Sequence, residues 1–152
     1  MADIVSEAFE LWHVGGVACA MRFGPSGLTV NGYAQVPEAL RRWWTHYDEC
    51  GPLLTPRELS YGPDEDGWVG FGAPSAGEIW DLADLEASVP DLYAVPLVKM
   101  QQDQDETQAV LGGGFVPTRI WTLKQLRGEV GLLATNLAAV AAEVGATRLR
   151  QW

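Results

Sequence analysis

The chain has 152 residues, 47% of them hydrophobic, with 20 acidic and 10 basic side chains and a formal net charge of −10. That apolar fraction supports a folded core and excludes wholesale disorder. The acidity weighs against a nucleic-acid partner, which needs cationic phosphate contacts, and no run of eighteen apolar residues is present to span a membrane.

A chain of this length predicts a single domain over residues 1–152. It begins Met-Ala-Asp, without the basic start and hydrophobic run of a secretory leader. The expectation is a cytoplasmic protein, with Cys19 and Cys50 as reduced thiols rather than a disulfide framework.

Taken in order, residues 3–12 predict a short helix, with Ile4, Val5, Ala8, Phe9 and Trp12 on one side. Val17–Phe23 and Leu28–Val36 read as the strands of a hairpin, turned at Gly24-Pro-Ser-Gly27. Asn31-Gly32 is a competing turn signal. Pro37 opens a second helix over Glu38–Glu49, with Leu40, Trp43, Trp44 and Tyr47 on its apolar face. Residues 52–78 are rich in proline and glycine and predict irregular structure, with a short strand over Trp68–Phe71. Residues 76–87 predict a helix capped by Ser75 and Glu78. The alternative there is a strand over Gly77–Leu82 followed by one helical turn. Leu92–Gln101 and Thr107–Gly112 predict two strands joined by the polar connection Gln102–Glu106, with Pro96 marking an edge or bulge. Phe115–Trp121 is a further strand candidate.

The clearest signal comes last. Leu123, Leu126, Val130, Leu133, Leu137, Val140 and Val144 recur in steps of three and four, which is one apolar stripe on a helix over Leu123–Ala146. Thr122 with Gln125 has the spacing of a capping box, and Gly145 is placed to end the helix. Gly128, Gly131, Thr135, Ala138, Ala142 and Gly145 form a second line of small residues, which predicts close backbone packing at the glycines. Short connections between strands favour an α+β fold: a small antiparallel sheet with the long C-terminal helix packed on one face and one or two shorter helices.

Several residue groups could carry chemistry. His46 and Cys50 are four apart and share a helical face, as a nucleophile and its base would. Asp64-Glu65-Asp66 is crowded with carboxylates but lacks the alternate spacing of a calcium loop. Asp81, Asp84, Glu86 and Asp91 could pair across a hydrolytic cleft. Gly112-Gly113-Gly114 lacks the Lys-Ser/Thr of a phosphate loop. No metal or cofactor motif emerges.

The charge is uneven: residues 51–106 carry 12 acids and 2 bases, whereas residues 107–152 carry 2 acids and 5 bases. Exposed aromatics ringed by acids suit a basic protein surface. The expected function is therefore a non-enzymatic protein-binding module, an acidic inhibitor or immunity-like factor. Its candidate binding residues are Asp64, Glu65, Asp66, Trp68, Trp80, Asp81, Asp84, Glu86 and Tyr93. The alternatives are a small accessory subunit that forms a homo-oligomer through the C-terminal stripe, and a small-ligand protein or enzyme with a pocket near His46.

Overall fold

The structure, a computed structural model, describes residues 4–41, 59–112 and 116–150, the side chains of Leu92 and of residues 145–150 excepted. The predicted hairpin is its centre. Strands β2 (Val17–Phe23) and β3 (Val30–Gln35) pair antiparallel with Met21 opposite Gly32, and Gly24 closes the turn by donating to the Thr29 carbonyl at 2.9 Å. Strand β1 (Glu10–Val14) precedes them and β4 (Trp68–Ala73) follows, giving an antiparallel sheet in the order β1-β2-β3-β4. The helix expected over residues 3–12 is limited to α1 (Ile4–Glu7). Beyond it Glu10, Trp12 and Val14 alternate with the more exposed Leu11 and His13, and that two-residue period prevails over the helical spacing. Gly15 and Gly16, at φ +57° and +82°, make the tight turn into β2.

The long helix lies on this sheet as predicted. Helix α5 (Leu123–Arg150) buries Leu123, Leu126, Val130, Leu133 and Leu137 against Met21, Val30, Ala34 and Phe71. Each such side chain contributes about 1.5–3 kcal/mol. Gly32 lies in mid-strand rather than at a turn, because a Cβ there would run into Val130 Cγ2. The glycine lets the helix approach the sheet. Thr122 Oγ1 accepts from the Gln125 amide at 3.3 Å, so the predicted cap forms. Gly145 does not end the helix, which runs on to Arg150. The small-residue line is split in role. Gly131 faces Val14 and Ala138 faces Gly15, but a Cβ on Gly128 would meet open space, so close packing is confined to the β1 side. The stripe is buried from Leu123 to Leu137, and Val140 and Val144 are partly buried beside it.

The opposite face of the sheet is covered by α1. Ile4 packs with Ala20, Tyr33 and Trp68, joined by the half-buried Tyr61. Arg22 is buried there. Its Nε donates to Tyr33 Oη at 3.1 Å and its guanidinium pairs with Glu7 at 3.0 Å.

Helix α2 is described over Glu38–Arg41; the rest of the predicted helix, with Trp43, Trp44, His46, Tyr47 and Cys50, lies outside the described residues. After β4 the alternative reading holds: β5 (Glu78–Trp80) leads into α3 (Leu82–Ser88). A 3-10 turn (Asp91–Tyr93) then enters α4 (Ala94–Leu111). The expected hairpin over residues 92–112 is thus a single helix. Gln102–Glu106 has Asp103 and Asp105 but no glycine or proline to force a reversal, and its glutamines and glutamate are good helix formers. Pro96 is the third helical residue, where its missing N–H costs no internal hydrogen bond. Strand β6 (Arg119–Trp121) pairs parallel with β5, with Ile79 opposite Ile120. Among the described residues, no helix is long and apolar enough to cross a membrane.

Candidate functional site

The nine residues singled out by sequence fall into two groups, with β4 between them. At one end of β4, Asp64 organises the turn into the strand. Its Oδ1 accepts from the amides of Asp66 and Trp68 at 2.9 and 3.0 Å, and its Oδ2 accepts from Tyr61 Oη at 3.0 Å. Burial, with the bond to the Asp64 carboxylate adding to it, pushes the Tyr61 phenol up to about 12. Glu65 and Asp66 are exposed beside it. Across β4, whose ends are roughly 17 Å apart at an extended rise, lie Asp81, Asp84 and Glu86. Asp81 caps α3 by accepting from the Asp84 amide at 3.1 Å, and Asp84 Oδ2 accepts from the Leu123 amide at 3.1 Å. These two carboxylates hold helix termini, a use that differs from the acid–base pair of a hydrolase.

The three aromatics are not exposed anchors. Trp68 is 3% exposed and Trp80 2%. Trp80 Nε1 donates to the Ala73 carbonyl at 2.9 Å, so its polar atom is satisfied inside the fold. Tyr93 is half-buried between Phe9 and Phe23, with ring centroids 5.7 and 5.2 Å away, where it seats the start of α4. Sequence could not separate buried from exposed tryptophan, because either setting satisfies a large apolar ring with one donor.

A cleft of about 380 Å³ lies between α4, the β2–β3 turn and the entry to β5. Ile79, Trp80, Met100 and Leu111 supply its apolar wall, and Asp103, Gln104 and Gln108 its polar side. Gln104 ties the helix to the strand: its Oε1 accepts from the Trp80 amide at 3.1 Å. Glu78 is engaged in the loop below, accepting from the Ser75 amide at 2.7 Å and from Trp121 Nε1 at 3.0 Å. The Asp103 carboxylate at the rim has no ion-pair partner among the described residues.

Around the cleft the charge is one-sided. Between Asp81 and Leu111 there are seven acids and a single base, Lys99. Asp103, Asp105 and Glu106 are all exposed on α4. The sequence reading sets these three in a hairpin connection, outside the site; the absence of glycine and proline from residues 97–111 is the signal that favours a continuous helix. Among the described residues no cluster of three or more His, Cys, Asp or Glu side chains has the arrangement to hold a metal ion. The His46–Cys50 pair lies outside the described residues. No protein-family model, curated protein or solved structure matches this chain.

Proposed function

We propose that the chain is a non-enzymatic protein-binding module, acting as an acidic inhibitor or immunity-like factor, whose α3–α4 surface receives a basic patch of a partner protein. The observation that carries this reading is the coincidence of the cleft with the acidic segment. The aliphatic stem of a lysine or arginine fits against Ile79 and Leu111, while its charged head meets Asp103 at the rim. Asp105 and Glu106 extend the negative field along the helix and would steer a cationic partner towards it.

The reading is tested by affinity capture from the native host with two baits, the wild-type chain and an Asp103→Lys/Glu106→Lys variant. A partner with a basic surface should be retained by the first and lost by the second. Its retention should also weaken as salt rises to about 0.5 M, where exposed charges are screened. Equal capture by both baits would refute the reading.

A further inference from the structure

The two edges of the four-stranded sheet differ. On the β4 edge, Gly70 is already bonded: its carbonyl accepts from the Ser60 and Tyr61 amides at 2.9 and 3.1 Å, and its own amide donates to Tyr61 at 3.1 Å. Among the described residues the β1 edge has no such cover. Its outward groups follow from the turn. A two-residue loop makes Val14–Val17 a hydrogen-bonded pair, and alternation then directs the amides and carbonyls of Trp12 and Glu10 towards β2. Those of Leu11 and His13 point away from the sheet, and no other strand among the described residues pairs with them. Leu11 is 51% exposed and His13 is exposed.

We propose that this edge pairs with the β1 strand of a second copy of the chain, antiparallel about a two-fold axis at Trp12, to give one continuous eight-stranded sheet. In that register Leu11 of each copy opposes His13 of the other. The outward amide and carbonyl of each residue meet their counterparts, closing two rings of paired hydrogen bonds related by the axis. Strand β1 is self-complementary in this arrangement because its two outward residues are symmetric about Trp12. The half-buried Trp12 side chains of the two copies become neighbours on the α5 side and exclude water from each other.

Charge permits the contact despite the acidity of the whole chain. Glu10 is the one acid on the strand, and Arg127 of α5 holds both its carboxylate oxygens, at 2.9 and 2.7 Å. Two of the devices that keep edges apart, an outward lysine and a proline, are absent from Glu10–Val14. This inference does not depend on the acidic surface of α3 and α4.

The test is light scattering after size exclusion, at concentrations up to roughly 200 µM. The wild-type chain should reach twice its 16.5 kDa mass. Leu11→Lys sets a lysine ammonium opposite His13 on both sides of the axis. It should raise the dissociation constant at least tenfold, with unchanged circular dichroism and thermal melting of the monomer. Val110→Lys, on the exposed end of α4, should dimerise as the wild type does. A wild-type chain that stays monomeric throughout the range overturns the proposal, as does a dimer that Leu11→Lys leaves intact. Equal disruption by Val110→Lys would place the contact elsewhere and overturn it too.

Discussion

Gly32→Ala tests how closely α5 is packed on the sheet. The added Cβ collides with Val130 Cγ2 and lies 3.3 Å from Leu126 Cδ1, and both neighbours are fully buried. The backbone of Gly32 is ordinary strand, so space alone decides the outcome. Overpacking of this kind costs about 1–3 kcal/mol. Val130→Ala removes two methyl groups from the same place and costs about 2 kcal/mol, from the lost burial and the residual void. In the double variant the new methyl on β3 enters the space vacated on α5. The two costs should then fall short of additivity by about 1–2 kcal/mol. Urea denaturation of the four proteins measures this, and in a chain of this length each kcal/mol should appear as roughly 2–4 °C in Tm. Strict additivity of the two substitutions would refute the claim that Gly32 is there to admit the helix.

Arg22→Met removes a donor to Tyr33 and the partner of Glu7 from a buried setting, and should cost about 2–4 kcal/mol in urea denaturation. Glu7→Gln, on the exposed side of the same pair, should cost less than about 1 kcal/mol. Asp84→Ala strips the first amide of α5 of its carboxylate acceptor and should lower stability by about 1–2 kcal/mol, read by thermal melting. Burial raises the Cys19 thiol from 9.0 to about 11, with a backbone contact from Val14 opposing it. The unfolded chain therefore ionises first. The stability linked to this thiol is intact below about pH 9 and declines as pH rises towards 11. Cys19→Ala should flatten the fall of Tm across that window, and an unchanged slope would exclude the thiol as its source.

The parts of the fold legible in sequence are those where one period dominates or a turn is marked. The three- and four-residue steps of α5 put one stripe in the core, whereas β2 and β3, buried on both faces, are legible from the turn Gly24–Gly27 between them. Strand β1 was obscured because Trp12 sits at helical spacing from Phe9 as well as in the alternation of Glu10, Trp12 and Val14. Helix α4 was obscured for the opposite reason. Met100 is its only buried side chain, Val95, Val98 and Val110 point to water, and its apolar residues trace no stripe that a period could reveal. The candidate site suffered in consequence. Its acids on α3 were visible as a cluster, but Asp103, Asp105 and Glu106 gain a common surface only once residues 94–111 are seen to be helical. The local hydrogen bonds that engage Asp64, Asp81 and Asp84 depend on partners brought together by folding, and composition alone gives no sign of them.

Helix α4 is fastened to the domain along one side, by Pro96, Leu97, Met100 and the tether from Gln104 to the Trp80 amide. Its outward positions, among them Gln102, Asp105, Glu106 and Ala109, can therefore change identity with little effect on folding. Under the function proposed above, recognition and stability drift independently. A lineage could retune what this helix meets, charge by charge, while the sheet and α5 stay under the constraint of close packing.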